Sequence, residues 1–228
     1  MKKVLASALI CAASSFAAWD YFPVIEYGKG EAKFSFEQGR KGNNAEPNED
    51  HDFKIRYSPL ENLELLSQLG YTFGARYQII PVLSAGLDIG FPIPGTAWSF
   101  TPNVQFSTNL TEALALGSNV QVTINTEDAG KNSNGLDLSA GFELDITMGK
   151  STIWVSCDFN TGLTDSKKNG TKIKAKDDDR GTEIVPALGY VAAVGNLSLG
   201  TSVGMKFGEN AGHDKFVTVI GLDASIKF

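Results

Sequence analysis

The stretch FVTVIGLDASIKF, residues 216–228, decides the fold, because its side chains alternate in character from one position to the next. One set is mainly apolar and comprises Phe216, Thr218, Ile220, Leu222, Ala224, Ile226 and Phe228. The positions between them become small or charged in the second half, with Gly221, Asp223, Ser225 and Lys227. A period of two predicts a β-strand, and here one face of that strand suits an apolar environment.

A strand of this kind with an aromatic residue at its end is typical of the last strand of bacterial outer-membrane β-barrels. In those proteins it closes the barrel and places the terminal ring at the membrane interface. The stretch resembles their C-terminal insertion signal, and the resemblance implies the barrel-assembly machinery as a partner. The residues expected to carry the signal are Ile220, Leu222, Ile226 and Phe228.

The first residues predict export. Met1-Lys2-Lys3 is basic, Val4 to Ala13 is a short apolar run, and small residues precede Ala18. This pattern predicts a secretory signal peptide over 1–17, cleaved before Ala18, because the apolar run is too short to span a membrane as a helix.

The two cysteines and the charge narrow the class further. Cys11 allows a lipoprotein interpretation, but the residues ahead of it lack the small side chain that such processing prefers. Cleavage of the signal leaves Cys157 alone, so no intramolecular disulfide is expected. The formal net charge is −6, and loss of Lys2 and Lys3 makes the chain more acidic. This balance argues against nucleic acid as a partner.

Alternating segments recur after residue 30, and Leu136 to Met148 is the clearest, with apolar residues opposite Asp137, Ser139, Gly141, Glu143 and Asp145. Tight turns alternate with long polar loops at 39–50, 126–135 and 162–181. Short turns on one side and long loops on the other are typical of an outer-membrane barrel. We predict that residues 18–29 form an N-terminal periplasmic segment. Residues 30–228 are predicted to form an all-β, transmembrane, antiparallel up-and-down β-barrel.

Residues Leu63 to Ile79 decide the number of strands. The turns on both sides of this stretch look periplasmic, so the chain must cross the membrane twice between them. A tight reversal near Gly70-Tyr71-Thr72 allows this and predicts 12 strands, an even number as single-chain bacterial barrels require. Ten or 14 strands remain open. A secreted β-sandwich also alternates, but bulky stripes opposite small and charged residues on nearly every strand favour lipid outside and a wet lumen inside.

Two units carry a family resemblance: Ile55 to Leu65, with the sequence IRYSPLENLEL, and Ala75-Arg76-Tyr77-Gln78. In each, a tyrosine precedes a short turn at the periplasmic edge. The chain resembles a family of bacterial outer-membrane transporters, the porin-like group named for a Putative MetA-pathway of phenol degradation. The resemblance implies passage of small, hydrophobic or aromatic molecules.

The inward phase of the strands predicts a charged lumen. The basic residues on the early strands are Lys33, Lys54, Arg56 and Arg76. The acidic residues are Asp88, Asp137, Glu143, Asp145, Asp158 and Glu183, and all but Asp88 lie on later strands. Closure of the barrel is expected to set the two groups on roughly opposite walls, with a field across a narrow pore that weakly prefers cations. Trp154 is predicted to point into the same lumen.

The favoured function is a porin-like channel or transporter for small solutes in the bacterial outer membrane, in contact with outer-membrane lipid and lipopolysaccharide. The alternative is a non-conducting structural barrel that binds partners through its extracellular loops. Trp19, Tyr21, Phe22 and Trp98 are candidate interfacial anchors.

A lipid-modifying enzyme is disfavoured. His51 and Ser67 both face outward but are predicted to lie about 10 Å apart along the strands, with Ser67 beside Lys54. The acidic run 177–179 matches no calcium loop and is expected to be solvated. We expect no catalytic residues, no metal and no cofactor.

Overall fold

The computed structural model describes residues 21–22, 26–41, 48–69, 71–91, 98–126, 135–168, 171–175, 181–208 and 216–228. Within them, 12 strands close into an antiparallel barrel, as predicted, and two further strands form a separate hairpin. In chain order the strands are β1 (Gly30–Lys41), β2 (Asn48–Leu60), β3 (Leu63–Gln68), β4 (Thr72–Ile80), β5 (Leu83–Gly90), β6 (Ser99–Asn109), β7 (Leu114–Asn125), β8 (Leu136–Met148), β9 (Ser151–Gly162), β10 (Ser166–Lys168), β11 (Thr171–Ile173), β12 (Glu183–Val194), β13 (Leu197–Gly208) and β14 (Phe216–Lys227). The hairpin is β10–β11, and no helix in this part of the chain is long and apolar enough to cross a membrane.

Short turns join the strands at one end of the barrel, as the sequence predicts. Three of them contain a residue in the left-handed region: Asn62 (φ 63°), Gly149 (φ 65°) and Gly195 (φ 64°). Asparagine and glycine adopt this conformation most readily. Strand β1 starts and β14 ends at the same end of the barrel, which we therefore assign to the periplasmic side. The reversal between β3 and β4 lies at the opposite end and includes Leu69 (φ 49°).

Several strands extend beyond their predicted limits. Alternation predicts strands over 31–37 and 52–58, whereas β1 and β2 continue to Lys41 and begin at Asn48. Both extensions fall in the stretch 39–50, which the sequence predicts to be a loop. The sequence of these extensions is polar and does not alternate, so the period of two did not predict them.

Strands β1 and β14 close the barrel along a seam that runs from Glu31 opposite Lys227 to Lys41 opposite Val217, and Phe228 extends it to Gly30. The Gly30 amide donates to the Phe228 carbonyl oxygen (2.8 Å), and the Phe228 amide donates to the Gly30 carbonyl oxygen (2.9 Å). The Phe228 ring lies over Gly30, where an added Cβ would stand 2.2 Å from the ring. Glycine at position 30 therefore gives the terminal aromatic ring its place at the seam.

The outer face carries large apolar side chains that are about half exposed, including Val104 (49%), Phe142 (49%) and Ile220 (54%). A contiguous apolar surface of this extent is incompatible with water but suits lipid. Exposed aromatic residues mark both edges of the belt. The periplasmic set is Tyr57, Tyr77, Tyr190 and Phe228, and the extracellular set is Tyr71, Phe73, Phe91 and Trp98. Such girdles lie at membrane–water interfaces, which agrees with the anchor expected of Trp98.

Candidate functional site

The inner face of the barrel has two layers, and the upper layer holds a cavity. The cavity has a volume of about 640 Å³ and reaches the extracellular ends of the strands, where Glu37, Thr72 and Glu183 line it. Hydroxyl and amide side chains supply much of its wall, among them Thr101, Gln121 and Asn160. Its size falls within the range of sites for small molecules. Its wall is far more polar than is usual for such sites.

The lower, periplasmic layer is packed, and an ion-pair network runs through it across neighbouring strands. Arg56 Nη2 lies 2.8 Å from Glu31 Oε2, and Arg56 Nη1 lies 3.3 Å from Glu64 Oε2. Arg76 Nη1 lies 3.3 Å from the other oxygen of Glu64. Arg76 Nη2 lies 3.8 Å from Asp88 Oδ2. Strands β1 to β5 are thereby connected through charges that water scarcely reaches.

The cross-strand register explains the network. Glu31 lies directly opposite Arg56, and Glu64 lies directly opposite Arg76, so each arginine meets a carboxylate of the adjoining strand. Side chains at opposed positions lie close enough to interact. Asp88 is opposite Gly74, where an added Cβ would stand 1.9 Å from the Asp88 carboxylate. The glycine therefore leaves room for Asp88 to turn toward Arg76.

The two lysines of the upper layer are also paired. Lys33 and Lys54 lie directly opposite each other on β1 and β2. Lys33 Nζ lies 3.3 Å from Asp223 Oδ1, and Lys54 Nζ lies 3.4 Å from Asp52 Oδ2. Each ammonium group thus has a carboxylate partner, which offsets the repulsion between the two lysines.

The basic side chains of the early strands are therefore paired with carboxylates and do not form a separate positively charged wall. Lys33, Lys54 and Arg76 line the cavity, and Arg56 is buried below it. Their positive charge is offset by carboxylates of the same side of the barrel, mainly Glu31, Glu64, Asp52 and Asp223. Side-chain alternation predicts which face a residue occupies, but it does not show which residue lies beside it on the next strand.

The acidic residues of the later strands do share one side of the lumen, at three depths. Asp137 lies near the extracellular end of β8, and Glu183 lies at the start of β12. Asp158 lines the cavity. Glu143 and Asp145 lie at the bottom, with relative exposures of 1% and 0%. Glu143 and Asp145 are two positions apart on the same face of β8, and their two carboxyl groups interact with each other.

An apolar cluster completes this side of the lower layer. Trp154 points into the lumen, as predicted, and packs with Val191 and Ala187. Its indole ring lies against Gly189, where an added Cβ would stand 2.2 Å from the ring. In the register of β8 with β9, Trp154 is also directly opposite Asp145. Trp154 therefore lies beside that buried carboxylate in the register, with its ring turned toward β12.

The N-terminal residues Tyr21 and Phe22 lie inside the barrel and form a buried cluster with Ala115 on β7. The Tyr21 hydroxyl donates to Asp158 Oδ1. This corrects the expectation that the two aromatic residues anchor a periplasmic segment at the membrane interface. An interfacial site exposes one side of a ring to lipid, whereas each of these residues is 7% exposed. Trp19 lies outside the described residues.

Sequence reasoning missed Glu31, Glu64, Asp223 and Tyr21 as lumen residues. A signal for Glu64 was present, because it stands between Leu63 and Leu65, which occupy the outward phase of β3. Tyr21 gave no signal, because it belongs to no strand and only the folded chain brings it to β7, β8 and β9.

The structure gives the positions of His51 and Ser67, the pair considered for lipid hydrolysis. Ser67 is directly opposite Ile55, one position further from His51 than predicted. The His51 ring instead packs on Phe36, with centroids 5.1 Å apart. No group of three or more metal-ligating side chains is found among the described residues, and the acidic run 177–179 lies outside them.

A closed 12-stranded barrel with an apolar belt, two aromatic girdles and a polar lumen is a bacterial outer-membrane β-barrel of porin-like architecture. The chain belongs to the family described as Putative MetA-pathway of phenol degradation, whose model matches residues 68–212. This confirms the resemblance seen in the sequence.

Solved structures share the fold at low sequence identity. The NanC porin is 8% identical with a TM-score of 0.57, over 86% of this chain and 100% of that chain. The KdgM porin is 11% identical with a TM-score of 0.52, over 86% of this chain and 99% of that chain. No curated protein sequence matches the chain.

Proposed function

We propose that this protein is a porin-like channel that lets small hydrophilic solutes cross the outer membrane and favours cations or neutral molecules over anions. The observation that carries the proposal is the polar cavity of about 640 Å³. Acidic side chains outnumber basic ones on its wall. The basic ones are Lys33, Lys54, Arg76 and Lys206, and the acidic ones are Glu37, Asp52, Asp88, Glu143, Asp158, Glu183 and Asp223.

The resemblance to the family implied hydrophobic or aromatic solutes, and the lining of the cavity favours a different class. Hydroxyl, amide and charged groups replace the water shell of a polar solute more readily than they accept a hydrocarbon. We therefore favour small polar solutes, and passage of an aromatic hydrocarbon is the weaker proposal.

Neutralising two carboxylates at the mouth of the cavity is expected to weaken its cation preference. We choose Glu37→Gln with Glu183→Gln, because both residues line the upper cavity on β1 and β12. One unit charge about 10 Å from an ion in water contributes roughly 0.4 kcal/mol, with opposite signs for potassium and chloride, so each substitution is expected to lower the potassium-to-chloride permeability ratio about fourfold at low salt. The ratio is measured from reversal potentials of the refolded mature chain in a planar bilayer with a KCl gradient.

Glu61→Gln is the matched control, since Glu61 is exposed in the turn between β2 and β3 and does not line the cavity. Its permeability ratio should match that of the wild type. A folded barrel that conducts no ions under any condition would contradict the channel. It would favour the non-conducting alternative, for which the packed lower layer of the lumen is the supporting observation.

We also propose that the apolar face of β14 is the signal that the barrel-assembly machinery reads, and that Phe228 is its main element. Phe228→Ala keeps both backbone hydrogen bonds to Gly30 and removes only the ring. We expect it to lower the amount of assembled barrel in cells and to change the unfolding of the refolded protein little. Deletion of Phe228 also removes the two bonds, which contribute about 1 kcal/mol each.

The assembled amount is measured by heat-modifiable migration of outer-membrane fractions, and stability is measured by denaturant unfolding of the protein refolded in vesicles. Equal assembly of the wild type and Phe228→Ala would show that the ring is not part of the signal. An equal loss of stability in the two variants would show that the ring, rather than the backbone bonds, holds the seam.

A further inference from the structure

We infer that strands β7 to β9 form an internal binding site for the N-terminal Tyr21-Phe22 segment, and that the bound segment closes the periplasmic half of the lumen. The proposal rests on the proposed channel function, whose pore it would regulate.

The wall of the barrel is shaped to this segment. The inward positions of β7 and β8 that face it are Ala115, Gly117 and Gly141. An added Cβ on Gly117 would stand 2.8 Å from Tyr21 Cβ and 2.9 Å from the Tyr21 carbonyl oxygen. An added Cβ on Gly141 would stand 2.6 Å from the Tyr21 hydroxyl oxygen. Any larger side chain at these two positions would occupy the space that Tyr21 fills.

One polar contact orients the segment in this site. The Tyr21 hydroxyl donates to Asp158 Oδ1, and Asp158 is directly opposite Gly141 in the register of β8 with β9. An added Cβ on Gly141 would also stand 2.2 Å from the Asp158 carboxylate. Gly141 therefore makes room for both partners of the hydrogen bond. The glycine and the carboxylate together account for a tyrosine at position 21.

The segment lies where the lumen changes from open to packed. Tyr21 is part of the cavity wall, together with Glu143 and Trp154, the residues of its floor. Phe22 and Tyr21 are both buried against Ala115, close to the periplasmic end of β7. Without these two aromatic side chains, the space beside Gly117 and Gly141 joins the cavity and extends it toward the periplasm.

The segment is tethered but can leave. Downstream of it, the Gly28 amide donates to the Ser58 carbonyl oxygen (2.8 Å) at the periplasmic edge, and the Ser58 amide donates to the Lys29 carbonyl oxygen (3.1 Å). Tyr21 and Phe22 belong to no strand and are held by side-chain contacts, among them the hydrogen bond to Asp158 and the cluster with Ala115. Their release therefore breaks no strand pairing.

Conductance in KCl is the first test. Tyr21→Ala with Phe22→Ala removes the bound side chains and is expected to raise single-channel conductance several-fold. Gly117→Leu leaves the segment intact but fills its site, and is expected to raise conductance as well because the segment is displaced. Ser35→Leu adds the same bulk to the cavity wall on the far side and should lower conductance. Unchanged conductance in the double alanine variant of a conducting barrel would overturn the closure.

Thiol cross-linking tests the binding site for Tyr21-Phe22 independently of conduction. In a Cys157→Ser background, the two cysteines of a Phe22→Cys, Ala115→Cys variant are expected to form a disulfide bond on oxidation. Phe22→Cys paired with Ser35→Cys should not. Absence of the first bond in a folded barrel would overturn the binding site. The disulfide could form although neither the wild type nor the Tyr21→Ala, Phe22→Ala variant conducts. That result would support the binding site and reject the channel function on which the regulation depends.

Discussion

Arg56→Met is expected to lower the free energy of unfolding by about 3–5 kcal/mol, the cost of leaving buried carboxylates without their partner. The guanidinium of Arg56 contacts both Glu31 and Glu64, and all three side chains have 0% exposure. Methionine preserves most of the volume but none of the charge. Glu64 keeps its contact with Arg76, and Glu31 keeps Lys227 directly opposite it on β14, so the expected loss lies toward the lower end of that range. Denaturant unfolding in lipid vesicles measures the loss.

Lys54→Met is the matched control for this prediction. Lys54 lies two positions away on the same face of β2, and its pair with Asp52 remains accessible, with side-chain exposures of 21% and 25%. A pair of this kind contributes about 1 kcal/mol or less. Adding Glu31→Gln to Arg56→Met should recover part of the lost stability. Equal losses for Arg56→Met and Lys54→Met would show that the network is solvated and contributes little.

Trp154→Ala is expected to destabilise the barrel by about 3 kcal/mol, near the lower end for buried tryptophan, because water from the cavity can fill the space that the indole leaves. The same change is expected to raise conductance and cation preference. Asp145 lies directly opposite Trp154 on β8 and has no exposure in the wild type, so the space that the indole leaves is expected to admit water and ions toward this carboxylate. Unfolding and reversal potential are measured on the same preparation.

Trp98→Ala separates this effect from the general loss of a tryptophan. Trp98 is 41% exposed and packs on Phe91 at the extracellular girdle, outside the lumen. Trp98→Ala should lower the free energy of unfolding less than Trp154→Ala does, and it should leave the permeability ratio unchanged. Adding Asp145→Asn to Trp154→Ala should return the cation preference to the wild-type value. If the cation preference stays raised in that double variant, Asp145 is not the charge that loss of the indole exposes.

Most of the fold was accessible from the sequence because a membrane barrel repeats one simple rule. Lipid outside and water inside force a period of two along every strand, and Leu136 to Met148 shows it over its whole length. The reversal between Gln68 and Thr72 was predicted from topology, because the turns on both sides of this stretch look periplasmic and the chain must cross the membrane twice between them. The extensions of β1 to Lys41 and of β2 back to Asn48 do not alternate, so this rule did not predict them.

The sequence predicted which side chains the candidate site contains, but not how they are arranged. Alternation identified Arg56, Arg76, Glu143 and Asp145 as inward residues, and the structure places all four there. It did not identify the partners of the arginines, because these depend on the register between strands.

The sequence by itself determined which side chains face lipid and which face the lumen, since that depends on neighbours along one strand. Only the tertiary structure decided how the lumen is divided into an open cavity and a packed layer. That division depends on contacts between residues far apart in the chain, such as Tyr21 with Asp158 and Trp154 with Gly189. Such contacts follow from the closure of the barrel and the space that glycines leave inside it, and neither is a property of any single strand.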